Sequence, residues 1–497
     1  MPRRPFTRDQ GWLLPPSLGE LIGEDHPVRF VAEFVSLTDL AALGIRTEPA
    51  EEGAPSYAPE MLLALWLYGF MCRTRSSRKI ERACQENICF MWLAGRQRPD
   101  HCALARFYQR YRQAMRPLFG RTVRLAVEVG LVDFALHAVD GTRLASASKD
   151  SLRKREGLER LLALVEQEIL AMEESAQREA AERLPAPPPE RARQGRETVR
   201  ARVQRALLEM AEREQGQAPE PKATGEQQSR SGAPQVSVSD PEAILVRGGQ
   251  GLVVGYNAQI VSDSKAQIVV AADVVACSSD TRQLLPMVAQ AEANTGQRAQ
   301  AVLADGGYHS ADNVRGMAMR KQPFYAPDPQ LRREHDAPGR WPYHKSCFRY
   351  EAERDVVICP QGQVLRYSHM LRRDHGRAVE MRVYRGHDCR TCPAFGPGQC
   401  TQNRKGRRIA LYGHEQELLE HREKMAQPAV KHLYGRRKAI VEPVFGQLKE
   451  QVGARRFLLR GLTNVQGEWN LLCSVHNLLK LWRHWWRPQV LGRAGSV

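Results

Sequence analysis

Two short apolar runs, far apart in the chain, each end on an Asp-Gly step. Ala135-Leu136-His137-Ala138-Val139 leads into Asp140-Gly141-Thr142, and Ala301-Val302-Leu303-Ala304 leads into Asp305-Gly306-Gly307-Tyr308. A run of this length bounded by glycine marks a buried strand. The pattern therefore predicts two strands, each delivering an aspartate at its end. An Asp-Gly step in that place is also a common plain turn. A third acid, Glu442, lies in the stretch Arg436 to Lys449, which reads as a helix. Two carboxylates at strand ends and one on a helix can hold two divalent cations about 4 Å apart, the arrangement used in phosphoryl transfer. Oxygen ligands of this kind suit Mg²⁺, which keeps several of its waters.

The charge of the chain narrows the partners. It has 497 residues and a formal net charge of +17, which favours nucleic acid over other large partners. The length fits two to four domains. No window holds 18 consecutive apolar residues, and Met1-Pro2-Arg3-Arg4-Pro5 leads into no apolar segment. No membrane contact and no secretion signal are expected. The eleven cysteines then read as reduced cytosolic thiols or metal ligands rather than disulfides.

The three acidic motifs, Asp-Gly-Thr, Ala-Asp-Gly-Gly-Tyr and Val-Glu-Pro-Val-Phe-Gly-Gln-Leu-Lys, resemble those of the Asp-Asp-Glu transposases of bacterial insertion sequences. Gly255-Tyr256-Asn257-Ala258-Gln259, Ser56-Tyr57-Ala58-Pro59, and Asp100-His101 leading into Ala105-Arg106-Phe107 look similar as well, so the resemblance covers most of residues 10–480. In the relevant branch the Glu is followed by six residues and a Lys, as Glu442 is by Lys449. Many relatives place Arg four residues before the Glu and Tyr three before that. Here those places hold Lys438 and Gly435, with Arg437 and Tyr434 one step off.

The resemblance implies an RNase H-like α/β core in which Asp140, Asp305 and Glu442 bind Mg²⁺ (or Mn²⁺). It implies a transposase acting on double-stranded DNA, at the terminal inverted repeats of its element and at a target. Water frees a 3′-hydroxyl at the element end, and that hydroxyl attacks the target. It also implies a homodimer on DNA, working in the bacterial cytoplasm at the nucleoid. Three other readings compete. A nuclease of the same fold would cut without strand transfer. A DNA-binding remnant would have lost catalysis. A zinc-ribbon RNA-binding factor would explain the charge and the cysteines but not the carboxylates.

The expected organisation is an all-helical DNA-binding domain over 1–133, a catalytic core over 134–149, 239–334 and 411–485, a helical hairpin insert over 150–222 with linker 223–238, a cysteine-rich insert over 335–410, and a tail over 486–497. Within the first, Met61, Leu62, Leu65, Trp66 and Phe70 recur at helical spacing. Ser76 or Ser77 can cap a second helix, and Asp100 a third that carries Arg106 and Arg110. That basic face suggests a helical DNA reader, or a solvated surface. In the hairpin, Leu158, Leu162, Val165, Ile169 and Met172 form a heptad seam repeated by Val199, Val203, Ala206 and Met210, with the break at Pro185 to Pro189. Val253 to Val261 and Gln267 to Ala272 read as paired strands, and Ser279 or Asp280 as the cap of a helix that Gly296 ends.

Further site residues follow. Lys449 shares a helical face with Glu442 and suits a phosphate. Arg436, Arg437, Lys438, Arg455, Arg456 and Arg460 make that region a basic, sequence-independent DNA track. Cys359, Cys389, Cys392 and Cys400 carry a spacing that can hold Zn²⁺, with Cys347 or His387 as substitutes for one ligand. His101 and His137 are expected to be structural. Pro443 either opens the helix, which leaves Lys438 outside it, or kinks it.

Overall fold

The structure, a computed structural model, describes residues 17–48, 56–148, 152–181, 190–216, 234–248, 251–328, 342–343, 345–351, 353–374, 377–396, 399–412 and 415–494. The proline run 185–189 and most of the expected linker, 223–233, lie outside them. Six helices come first: α1 (Pro27–Ser36), α2 (Pro59–Met71), α3 (Ser77–Glu86), α4 (Ile88–Leu93), α5 (His101–Tyr111) and α6 (Met115–Glu128). Ser76 caps α3 by accepting from the Lys79 amide, and Asp100 caps α5 from Ala103 at 2.6 Å. From Leu62 to Met71, α2 is buried all round, which makes it a central helix rather than a surface one.

Strand β1 (Leu136–Ala145) follows, then α7 (Arg155–Ala181) and α8 (Glu190–Gly216), then β2 (Ile244–Gly248), β3 (Gly251–Asp263), β4 (Val269–Val275), α9 (Leu284–Thr295), β5 (Ala301–Ala304), α10 (Ala311–Met319) and β6 (Phe324–Tyr325). The sheet runs β2-β3-β1-β5-β6, and β4 pairs with β3 beside β2. β1 is antiparallel to β3 and parallel to β5, and β5 is parallel to β6. Thus β3 opposes its neighbours, and the central strand β1 is covered on both edges.

Helices α7 and α8 pair antiparallel. Leu158, Val203, Ala206 and Met210 bury together with Val236, and the ion pair Arg196–Glu168 spans the two helices at 3.0 Å. The heptad seam therefore closes locally. A second, five-stranded sheet, in order β11-β10-β9-β8-β7, is built from β7 (Arg349–Glu351), β8 (Val356–Ile358), β9 (Val364–Asp374), β10 (Arg377–Gly386) and β11 (Arg408–Tyr412). The chain then forms α11 (Glu415–Ala426), α12 (Pro428–Glu450), α13 (Leu462–Leu481) and α14 (Arg487–Ala494).

One apolar core joins the N-terminal helices, the six-stranded sheet and α12–α13. Glu468, on α13, is 1% exposed and sits in it. It is held there by Arg75 at 2.5 Å and by the amides of Leu458 and Leu459 at 3.0 Å. A buried carboxylate needs such a full set of donors.

Two local expectations change. Asp140 is not at a strand end: β1 continues five residues past it, to Ala145. Helix α9 starts at Leu284 with Gln283 before it, so neither Ser279 nor Asp280 is its cap. Gly296 does end it, at φ +75°.

Candidate active site

Strand register sets the first two acids side by side. Val139 is paired with Ala304 across the parallel strands β1 and β5. Asp140 and Asp305 are the next residues on each. Parallel neighbours lie about 4.8 Å apart and in-register side chains share a face. The Asp140 side chain is 17% exposed. Burial raises its pKa; Arg437 and the Gly141 amide oppose that, and the negative charge of Asp305 adds to it. Asp305 leaves β5 and turns into a short 3₁₀ segment, accepting from the Gly307 amide at 2.8 Å.

Helix α12 supplies the opposing wall. Arg437 donates to Asp140 Oδ2 at 2.9 Å, and its side chain is 11% exposed. Burial raises the Tyr434 pKa, with Arg437 as its hydrogen-bond partner and both Asp305 and Asp140 near enough to act on it. The Tyr-Arg pair that stands one step off the relatives' spacing is therefore the pair that faces the aspartates. Arg437, expected on a DNA track, is instead a buried member of the stripe with Ile440, Val441, Val444 and Leu448.

Pro443 lies inside α12 and does not start it. Lys438 is therefore within the helix and exposed. Having no N–H, Pro443 leaves the Ala439 carbonyl without its helical donor. Gln267, between β3 and β4, supplies one at 2.9 Å. Glu442 is exposed and lies between Arg437 and Lys449 on the helix. Burial lowers the Lys449 pKa, while the Asp140 carboxylate pulls it the other way. Among the described residues no three His, Cys, Asp or Glu side chains stand close enough to hold a metal. The structure thus brings Asp140 to Asp305 and leaves Glu442 outside that pair.

A polar network beneath the aspartates escaped the sequence reading. Asp280 accepts from Asn257 and Gln259, each at 2.7 Å, and pairs with Arg143 at 2.6 Å. Tyr308 donates to Gln259 Oε1. Asn257 and Gln259 are fully buried. Their alternation with Tyr256, Ala258 and Ile260 was the available signal: two amides on one face of a buried strand must be answered by other polar groups. The same network explains Gly141. It faces Gln259 across the sheet, and a Cβ there would meet Gln259 Nε2 at 2.3 Å. The Asp140-Gly141 step is therefore not a turn; the glycine makes room for a side chain.

The remaining candidates are scattered. Arg106 and Arg110 are exposed along a groove of about 690 Å³ that Arg46, Tyr57, Phe107 and Tyr111 also line. Arg436 is exposed. Arg455 pairs with Glu450 at 2.8 Å, Arg456 donates to the Ser146 carbonyl, and Arg460 to that of Ala147. His101 meets Glu81 at 3.1 Å, and His137 lies 3.6 Å from Asp263. Asp240 is buried and receives the Tyr256 hydroxyl at 2.6 Å. Cys359, Cys389, Cys392 and Cys400 line one cavity; Cys347 and His387 do not.

Two families match the chain. Residues 358–482 match the family described as a transposase DDE domain, and residues 16–110 match one described as a transposase domain. The first match contains Glu442, Lys449 and the four clustered cysteines; the second contains α1 to α4 and α5 up to Arg110. Neither reaches Asp140 or Asp305. None of the curated proteins compared with the chain matches it. No helix among the described residues is long and apolar enough to cross a membrane. The two matched segments contribute to one core, and each is transposase sequence; together they support an insertion-sequence DDE transposase, an enzyme that transfers DNA.

Proposed function

We propose that Asp140, Asp305 and Glu442 are the catalytic acids of this transposase and hold a pair of Mg²⁺ (or Mn²⁺) ions during cleavage and strand transfer at the element's terminal inverted repeats. The observation that carries this reading is the Val139–Ala304 register, which sets two carboxylates on adjacent strands opposite α12. The donor set fits the ions: all three ligands are hard carboxylate oxygens, and Asp305 is close enough to add to the cost of charging Asp140. When bound, such ions activate the attacking oxygen and stabilise the leaving one.

The chain's own residues do the rest. Arg437 fixes the Asp140 carboxylate and offsets its charge. The Gly307 amide orients Asp305. Lys449, near Asp140, is placed to meet a phosphate. Arg436, Lys438, Arg455 and Arg456 carry the duplex past the acids, and Arg106 and Arg110 contact it through the N-terminal groove. The β4-β3-β1-β5-β6 order supports an RNase H-like core over 134–149, 239–334 and 411–485, with 1–133 as the DNA-reading region and 150–222 and 335–410 as inserts. The protein acts as a homodimer on double-stranded DNA, in the cytoplasm at the nucleoid.

The experiment is a cleavage and joining assay on end-DNA with Asp140→Ala, Asp305→Ala and Glu442→Ala, alongside a binding assay. Each variant should lose both reactions at unchanged DNA affinity. Retained cleavage in Glu442→Ala would remove that residue from the set.

A further inference from the structure

The β7–β11 sheet has a core too small for its length. Phe348, Val357, Leu365, Tyr384, Ile409 and Leu411 form a cluster of their own, apart from the main core. Below about 70–80 residues a single apolar core rarely stabilises a fold alone, and a bound metal is one of the usual supplements. Cys359 and Cys400 pack against this cluster. With Cys389 and Cys392 they line a cavity of about 20 Å³.

Local backbone shape agrees. The Gln363 amide donates to Cys359 Sγ at 3.2 Å, and the Arg407 amide to Cys389 Sγ at 3.3 Å. Both sulfurs are thus placed as hydrogen-bond acceptors, as a thiolate prefers. Gly406, at φ +84°, lets its segment approach the end of β10 closely; a Cβ there would run into the Gly386 carbonyl. Arg407 lines the same cavity, and its Nε is buried without a hydrogen-bond partner. Its other nitrogens donate to the Cys400 and Tyr343 carbonyls, at 3.1 and 3.0 Å, which fixes a positive charge beside the four cysteines.

We infer that this cavity is a structural zinc site with Cys359, Cys389, Cys392 and Cys400 as its four ligands. In the structure the four cysteines line the cavity but are not gathered to metal-holding distance; binding requires their thiols to turn inward onto one ion. Four thiolates match the tetrahedral preference of Zn²⁺, with bonds of about 2.3 Å. Each thiol releases its proton to solvent on binding, and the centre carries a charge of about −2, which Arg407 offsets. The ion ties the β8–β9 turn to the segment after β10 and stands in for the missing core.

The test uses the full chain, purified under reducing conditions from zinc-supplemented medium. Elemental analysis should find about one zinc per chain, retained in Asp140→Ala/Asp305→Ala and lost in Cys389→Ser/Cys392→Ser. Replacing the metal with Co²⁺ should give intense thiolate-to-cobalt absorption in the near ultraviolet. This second measurement needs only the parent protein, so it decides the matter even where the cysteine variant fails to fold. Substoichiometric zinc, zinc lost from the aspartate variant instead, or cobalt without thiolate absorption would each overturn the site.

Discussion

Arg437 and Asp140 lie 297 positions apart in sequence, yet the guanidinium meets the carboxylate at 2.9 Å with both side chains largely buried. Removing one partner of such a pair leaves a charge in a place that water barely reaches. Arg437→Ala should therefore cost about 3 kcal/mol in metal-free buffer, read from the urea midpoint at constant slope. A loss under about 0.5 kcal/mol would mean that solvent already screens the pair.

Gly141 is the tightest contact around the polar network. Gly141→Ala should push Gln259 off Asp280 and lower stability by about 1–3 kcal/mol. Gln259→Ala alone should also destabilise, because it leaves Asp280 and Tyr308 short of a partner. The double variant should fall well short of the sum, since the clash vanishes with the side chain. Strict additivity would show that the two residues do not compete for the same space.

What could be read in the sequence followed local chemistry. The strand that delivers Asp305, the caps Ser76 and Asp100, the heptad seam and the Gly296 stop all rest on residues within a few positions of each other. The failures came from tertiary context. Asp140-Gly141 looks like a turn until Gln259 is placed opposite it. Asp280 looks like a cap until Asn257 and Arg143 are brought to it. Arg437 looks like a surface cation because nothing near it in sequence reveals the burying strand.

Pro443 allows a clean cycle. In Gln267→Ala the Ala439 carbonyl loses the side-chain donor that replaces the helical one, at a cost of about 1 kcal/mol. Pro443→Ala restores the helical N–H, so adding it should make Gln267→Ala nearly neutral. The coupling is read from four urea midpoints. If Gln267→Ala costs the same in both backgrounds, the side-chain bond does not compensate for the proline.

Two buried histidines set an acid limit. Burial holds His421 and His476 down to about 4, against about 6.5 in an unfolded chain. Between those values the unfolded state binds more protons, so stability falls as pH falls. Each histidine contributes a slope of up to about 1.4 kcal/mol per pH unit. The carboxylates Asp273, half-buried, and Glu468, fully buried, are raised by desolvation and act with the opposite sign. The test is therefore a difference: His421→Asn should lose less stability than the parent on going from pH 7 to pH 5. Parallel pH profiles would rule out a neutral His421 in the fold.

The α7–α8 hairpin is the segment most separable from the rest. Its apolar cluster is distinct from the main core. At its base Arg153 pairs with Val236 through reciprocal amide bonds of 2.9 Å, so the chain leaves and returns at one point. Replacing residues 155–233 with a short Gly-Asn-Gly link should leave the core folded. The deletion also removes Arg213, which donates to the Pro241 and Ala243 carbonyls, and exposes Val236 and Val238. A fall of a few degrees in Tm is expected, with the cooperative transition kept. Loss of that transition would mean the hairpin completes the core. Light scattering with end-DNA then tests its use: if the hairpin pairs protomers, the folded deletion should bind DNA without assembling on it.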